Sequence, residues 1–231
     1  MRVLKCLSFL LGFALYCGLL ATSVNAQSIV NRIDTFDEGI FNLSTAGTTS
    51  NVDSISTISS DLFDQREADV QVNSGGGFAN ASLDSFATPT IFINSSGGDF
   101  LARYRMADSS LVDMTAGGAT GMMVEFEEFE AGEEIVFFAT SIFPGGGSSI
   151  GQQASVTITG SQTYIDFSTL GSVDFTRIDN VGYAVRDNGG PSANYAAVGF
   201  YTVSTVPEPS TGIMLGAFSL VGLVGVRRRR R

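Results

Sequence analysis

Short stretches of alternating apolar and polar residues run through the chain between residues 27 and 205. In residues 122–127 the even positions are apolar, while the odd positions include Glu125 and Glu127. A period of two places one set of side chains on a buried face and the other in water, as in a β-strand. Residues 135–139 are apolar at every position. Such a run predicts a central strand that is buried on both faces.

The same pattern repeats along the chain, and clusters of glycine separate the strand candidates. Glycine alone fills residues 75–77, 97–98 and 145–147, between stretches rich in β-branched and aromatic residues. Helix signals are nearly absent, so this region is predicted to be all-β, a sandwich or barrel of many short strands. About ten strands are predicted, at residues 28–33, 68–72, 90–94, 100–106, 122–127, 133–142, 155–159, 163–167, 174–185 and 195–203.

Residues 1–26 have the three parts of a secretory signal peptide. Arg2 and Lys5 provide a positive start, and residues 7–20 form an apolar core that predicts a signal helix. Small residues then precede a predicted cleavage between Ala26 and Gln27, where a signal peptidase of the export machinery would cut. An uncleaved first membrane helix is the alternative, which the cut site directly after the apolar run disfavours.

Three different segments follow one another at the C-terminus. Pro207 and Pro209 have a fixed φ and no N–H group, so the chain around Glu208 must be extended. Residues 211–226 carry no charge, and as a helix they would be about 24 Å long at about 1.5 Å per residue. A hydrocarbon core is about 30 Å thick, but snorkelling cations can cover the difference, so the run predicts a short transmembrane helix. A membrane stop on the cytoplasmic side is predicted from the last residues, Arg227, Arg228, Arg229, Arg230 and Arg231.

The order of these segments resembles the PEP-CTERM sorting signal of bacterial surface proteins. The sorting and processing motif within it consists of Val206, Pro207, Glu208, Pro209 and Ser210. The resemblance implies export, temporary anchoring through the C-terminal helix, and processing near Pro-Glu-Pro by a membrane-embedded exosortase. The alternative is an ordinary C-terminal anchor with a proline-rich stalk. The chain thus divides into a signal peptide at 1–26, an exported domain at 27–205 and a sorting signal at 206–231.

The exported region also resembles a particular kind of sandwich. Acidic segments open it at residues 34–39 and 64–72, and a third stands near its end at residues 166–181. This order resembles jelly-roll domains of bacterial surface proteins with such tails, some of which are related to carbohydrate-binding modules. The resemblance implies a single jelly-roll-like β-sandwich. Many relatives carry an Asp-Asn pair on the last strand, whereas residues 197–200 here read Ala-Val-Gly-Phe.

The composition excludes most catalytic chemistry. The chain has no histidine, its two cysteines (Cys6 and Cys17) lie in the predicted signal peptide, and Lys5 is the only lysine. A Ser-His-Asp triad, a Cys-His dyad, a histidine-ligated zinc site and Schiff-base chemistry therefore cannot be built. A pair of carboxylates could hydrolyse glycosides, but Glu125 and Glu127 share a face that is predicted to point to solvent. We therefore predict that the protein is not an enzyme.

The exported region is strongly acidic. Residues 27–205 contain 22 Asp and Glu against six Arg, a net charge of −16. Phosphate binding needs basic patches, so this balance argues against nucleic acid as a partner. An acidic surface instead favours solubility and the attraction of divalent cations.

Acidic residues near the predicted first strand and a late strand form a candidate calcium site. Calcium takes carboxylate and carbonyl oxygens, often from loops, and the candidate ligands are Asp34, Asp37, Glu38 and Asp179. The first and last strands of a jelly roll are commonly neighbours, so these carboxylates could converge. In the alternative, residues 37–39 form a turn and Asp179 caps a loop. No other cofactor is predicted.

Two functions of different classes are consistent with these features. In the first, the protein is a non-enzymatic component of the cell surface or extracellular matrix, exported, anchored in the membrane and then processed by an exosortase. In the second, it is a secreted carbohydrate-binding or carbohydrate-active protein that acts on exopolysaccharide. Glycan binding needs an exposed aromatic platform, yet tryptophan is absent and most tyrosines are predicted to pack in the core. No platform is evident from the sequence.

Overall fold

The computed structural model describes residues 25–46, 51–72, 77–84, 90–143, 148–187 and 193–207. The chain divides into two compact units, one formed by residues 1–28 with 205–231 and the other by residues 29–204. Within the described residues, no helix has the length and apolar character that crossing a membrane requires. The predicted helices at 7–20 and 211–226 lie outside the described residues.

The described residues contain thirteen strands in two sheets. Their bounds are β1 Asn25–Asp34, β2 Phe41–Ala46, β3 Asn51–Thr57, β4 Gln65–Val72, β5 Phe78–Asp84, β6 Thr90–Ser96, β7 Gly98–Arg105, β8 Gly121–Glu128, β9 Glu134–Ile142, β10 Ser149–Thr157, β11 Gln162–Asp166, β12 Ile178–Arg186 and β13 Ala193–Pro207. The first sheet has the order β11-β8-β13-β6-β5-β2, with β1 also paired to β13. The second sheet has the order β10-β9-β12-β7-β4-β3.

The last eight strands have the connectivity of a jelly roll. Between β6 and β13 the chain crosses repeatedly from one sheet to the other, so that β13 lies between β6 and β8 while β12 lies between β7 and β9. Strands β11 and β10 then flank β8 and β9 in opposite sheets. Two stacked sheets linked in this way are a jelly roll. Strands β2 to β5 widen both sheets, and the prediction of a single jelly-roll-like sandwich is confirmed.

Aromatic side chains from both sheets meet in the core. The ring of Phe200, on β13, has its centroid 5.3 Å from that of Tyr104 and 5.3 Å from that of Tyr183. Phe137, on β9, lies 6.4 Å from the same ring. All four side chains are fully buried, and tilted or edge-to-face pairs of this kind add to the free energy of burial. The two sheets are therefore joined through one aromatic cluster.

The predicted alternation and the predicted central strand are confirmed. The even positions of residues 122–127 belong to the core, while Glu127 is exposed. Met123, which the alternation places on the water-facing side, is buried instead. Strand β9 lies between β10 and β12. Four of residues 135–139 are buried and Phe138 is half-buried.

The structure has more strands than the sequence predicts. Strands β2, β3 and β5 are missing from the prediction, and β10 begins at Ser149 rather than at residue 155. These segments are rich in Ser, Thr, Asn and Ala, whose small side chains give weak alternation. These strands form because neighbouring strands hydrogen-bond to them. Strand β5, for example, pairs with β2 on one side and with β6 on the other.

Candidate functional site

A buried ion pair connects the first strand to the second sheet. Arg66, on β4, is fully buried, and its Nη1 donates a hydrogen bond of 2.6 Å to Oδ2 of Asp34 at the end of β1. Its Nη2 donates to the backbone carbonyls of Glu38 at 2.6 Å and Gly39 at 2.7 Å. One guanidinium thus holds both ends of the turn at residues 34–39.

Burial sets the protonation of the groups around this pair. Burial raises the pKa of Asp34, although the Arg66 guanidinium acts in the opposite direction. The pKa of Tyr104 is raised well above its usual value, first by burial and then by the Asp34 carboxylate. Burial also raises the pKa of Tyr183. Both phenols therefore stay neutral at physiological pH. The Arg66–Asp34 pair and the two tyrosines form a buried structural centre rather than an acid–base site.

The four candidate calcium ligands have separate protein partners. Within the described residues, no group of three or more Asp, Glu, Cys and His side chains could hold a metal ion. The structure therefore does not bring the four carboxylates together, and calcium binding by them stays a prediction that the geometry does not favour. The partners are Arg66 for Asp34, Thr35 for Asp37, the Ser59 N–H for Glu38, and Asn180 for Asp179.

A groove of about 590 Å³ lies on the outer face of the second sheet, and we call it the amide groove. This volume falls in the range of ligand sites, about 300–1,000 Å³. Neighbouring strands β10, β9, β12 and β7 provide its walls. The residues that line it include Leu101, Arg103, Phe138, Thr140, Gln152, Gln153 and Asn180.

The floor of the amide groove depends on a glycine. A Cβ at Gly182 would clash with the carbonyl oxygen of Ala102 and with the ring of Phe138. The Phe138 ring can therefore lie against the β12 backbone, where it remains half-buried. Beside it, Nη1 of Arg103 is 3.3 Å from Oε2 of Glu67 in a partly exposed ion pair, which fixes the guanidinium at the groove.

The amide groove is equipped for binding rather than for proton transfer. Gln152, Gln153 and Asn180 carry amides that both donate and accept hydrogen bonds. The carboxylates considered for glycoside hydrolysis, Glu125 and Glu127, lie on β8 in the other sheet. Oε1 of Glu125 accepts a hydrogen bond of 3.2 Å from Gln162. The groove therefore offers amide groups and the guanidinium of Arg103 around one aromatic ring.

Most tyrosines of the sandwich pack in the core, as the sequence predicts. Tyr104, Tyr183 and Tyr195 are buried, while the remaining tyrosines of the sandwich are half-buried. Accessible aromatic surface comes from phenylalanine instead. Besides Phe138, Phe92 is 47% exposed in a smaller cleft of about 220 Å³ on the first sheet. Phe138 and Phe92 each stand between two apolar residues, so the sequence around them gives no sign that they stay accessible.

The predicted processing residues lie at the limits of the described chain. Strand β1 begins at Asn25, so the predicted cleavage between Ala26 and Gln27 falls within its first residues. Val206 and Pro207 are the last two residues of β13. Lying outside the described residues are Glu208, Pro209, Ser210 and Arg227 to Arg231. The roles of all these residues stay predictions.

Arg66 is the residue of the buried centre that sequence reasoning missed. A signal for it exists, because Arg66, Ala68, Val70 and Val72 share one parity along β4. All four are buried, and a strand whose other inward residues are apolar places the arginine in the core. Its partner Asp34 lies 32 positions away in the sequence, and no local pattern links the two.

Residues 205–231 match the family model of the PEP-CTERM protein-sorting motif. The C-terminal segment is therefore a PEP-CTERM sorting signal, as the order of its three segments predicts. Such a signal indicates export and sorting to the cell surface. The matched segment overlaps the end of β13, which reaches Pro207.

Solved structures that are similar to this chain include carbohydrate-binding modules. One is the family 11 module from Clostridium thermocellum in complex with a β-1,3-1,4-mixed-linked tetrasaccharide, with 14% identity, a TM-score of 0.41, and coverage of 80% of this chain and 100% of that one. Another is the family 30 module of the cellulosomal cellulase Cel9D-Cel44B from the same organism, with 12% identity, a TM-score of 0.35, and coverage of 73% and 99%. No curated protein sequence matches the chain.

Proposed function

We propose that this protein is a non-enzymatic component of the cell surface or extracellular matrix, delivered by its C-terminal sorting signal and processed by an exosortase. The match of residues 205–231 to the PEP-CTERM sorting motif carries this proposal. Export through the N-terminal signal peptide takes the sandwich across the membrane. The C-terminal helix then holds it there until the chain is cut near Pro207–Pro209.

The chemistry of the chain supports a non-enzymatic role. Histidine is absent, and no cysteine or lysine follows Cys17, so histidine bases, thiol nucleophiles and lysine Schiff bases are missing. The carboxylate with a raised pKa, Asp34, is bonded to Arg66 inside the core. A buried carboxylate cannot contact a substrate, and burial accounts for the raised pKa of Asp34.

Substitution of both prolines of the motif tests the sorting proposal. We expect the double variant Pro207→Ala/Pro209→Ala to accumulate at full length in the membrane fraction, because the extended segment presented to the exosortase is lost. Wild type and the matched control Pro191→Ala should reach the surface in a shortened form, seen by immunoblotting of cell fractions. A double variant that is shortened and released like wild type contradicts the proposal.

The amide groove favours a second candidate function, which is the binding of a neutral polysaccharide. Sugar hydroxyls both donate and accept hydrogen bonds, as do the amides of Gln153 and Asn180. Gln153 lies directly opposite Phe138 and shares its face of the sheet. The half-buried ring of Phe138 offers an apolar surface for the face of a sugar ring. This function is compatible with the first, because a protein sorted to the surface would meet exopolysaccharide there.

Titration calorimetry with a panel of neutral soluble polysaccharides tests the second function. For the full chain in detergent micelles we expect saturable binding, weakened roughly tenfold or more in Gln153→Ala/Asn180→Ala, since each lost hydrogen bond costs about 0.5–1.5 kcal/mol. The control is Gln71→Ala, an exposed glutamine of the same sheet that does not line the groove. No saturable binding to any member of the panel, or equal weakening by both substitutions, contradicts the assignment.

A further inference from the structure

We propose that the sandwich self-associates through the free edge of β10, which pairs antiparallel with β10 of a second copy. Strand β10 ends the second sheet: β9 pairs with it on one side, and no strand of the described residues pairs with it on the other. An edge strand presents a row of backbone N–H and C=O groups that can template another strand. The proposal does not depend on how the protein is sorted.

Strand β10 is the longest of the four strands at the ends of the two strand orders; β1, which has ten residues, lies off these orders and pairs with β13. Strand β10 has nine residues, against seven in β3, six in β2 and five in β11. Its register with β9 runs from Ser149 to Thr157 without a shift, so no bulge twists the edge away from a partner. Six of its nine residues are exposed, although β11 and the turn at residues 167–170 lie alongside.

The edge lacks the devices by which proteins prevent such pairing. Natural edge strands carry lysine and other charges, proline or bulges, whereas β10 reads Ser-Ile-Gly-Gln-Gln-Ala-Ser-Val-Thr. The absence of charge extends well beyond the strand, because residues 135–165 contain no Asp, Glu, Lys or Arg. By contrast, the edge strands β3 and β11 carry Asp53 and Asp166. Strand β10 therefore has no charge, proline or bulge to oppose pairing, in a chain that is otherwise rich in acidic residues.

The charge distribution favours a second copy of this chain as the occupant. Two copies with a net charge of −16 over residues 27–205 repel each other over most of their surface, and the uncharged edge allows the closest approach. A two-fold antiparallel pair is self-complementary, since the same patch serves both copies. Exposed Gln153 and Ser155 would face the equivalent strand with neutral donors and acceptors. The contact joins two six-stranded sheets into one.

Sedimentation equilibrium of the full chain in detergent micelles measures this association. We expect wild type to form dimers as its concentration rises, and Ser155→Glu to weaken the dimer at least tenfold, because it places a charge at the paired edge. Thr57→Glu is the matched control, since it puts the same charge on an exposed hydroxyl residue of β3 at the opposite edge of the same sheet. Its dissociation constant should equal that of wild type, and circular dichroism should show both variants folded.

Salt provides a second readout that distinguishes edge pairing from charge-driven contacts. Added salt shortens the screening length from about 10 Å at 0.1 M to about 3 Å at 1 M, so repulsion between the acidic copies falls and the dimer should strengthen. A wild-type chain that stays monomeric at every concentration and salt level overturns the proposal. So does association that Ser155→Glu and Thr57→Glu change equally, or that neither changes, as expected if the membrane segments alone associate.

Discussion

At the scale of single residues, Arg66 is the side chain on which the start of the sandwich depends. Besides Asp34 it binds two carbonyls of the turn at residues 34–39. That turn contains Phe36 at a φ of 58° and Gly39 at a φ of 72°, and a left-handed backbone is costly for a residue with a Cβ. A Cβ at Gly39 would also come within 2.9 Å of Nη2 of Arg66. The Arg66 guanidinium therefore requires this backbone conformation of the turn and a glycine at position 39.

Removal of one partner of this pair should destabilise the protein strongly. We expect Arg66→Met to lower the free energy of unfolding by about 3–5 kcal/mol, because Asp34 is left buried without its cation. Arg103→Met, at a partly exposed ion pair with Glu67, should change it by less than about 1 kcal/mol. Urea unfolding followed by circular dichroism measures both. Equal losses in the two variants would show that Arg66 contributes no more than a surface cation.

At the scale of elements, one carboxylate begins the 3₁₀ turn at Phe167–Leu170. Oδ1 of Asp166 accepts a hydrogen bond of 2.8 Å from the Ser168 N–H. Hydrogen bonds from the side chain and the backbone of Ser168 lower the pKa of Asp166. A carboxylate whose pKa is lower in the folded state stabilises the fold above its unfolded pKa of about 3.9, and this contribution is lost as the pH falls through the folded pKa.

The contribution of this cap should therefore depend on pH. We expect Asp166→Ala to cost about 1 kcal/mol at neutral pH, and less at acidic pH, because the contribution of the wild-type carboxylate is lost as the pH falls through its folded pKa. Thermal unfolding of wild type and variant at the two pH values gives the difference. A cost that is equal at both would mean that the side chain acts by packing and not as a charged acceptor.

Alternation along the sequence predicts the strands whose buried residues are large and apolar. It misses the strands that form mainly through hydrogen bonding to their neighbours. Strands β8 and β9 are visible because their inward positions are large and apolar. Strand β5, with the sequence Phe-Ala-Asn-Ala-Ser-Leu-Asp, has mostly small residues on its buried face, and its two neighbours hold it in place. The amide groove could not be predicted, since its walls come from β7, β9, β10 and β12, whose adjacency is set by crossings between sheets.

At the scale of the whole molecule, the acidic jelly roll carries a sorting signal that overlaps the end of its last strand. Strand β13 reaches Pro207, and the signal begins at residue 205. The sequence is sufficient to identify the signal, because its three segments differ sharply in charge and apolar character. The sequence is not sufficient to predict the surfaces of the sandwich, because the amide groove and the free edge of β10 depend on the order of the strands in the sheets.

The mass of the mature C-terminus tests the central proposal most directly. The protein is collected from the cell surface or surrounding matrix and its intact mass and C-terminal peptides are determined by mass spectrometry. A sorting signal that is processed predicts a chain ending near Pro207–Pro209, without Arg227 to Arg231. Surface protein that retains the intact arginine tail would contradict exosortase processing and would favour a permanent C-terminal anchor.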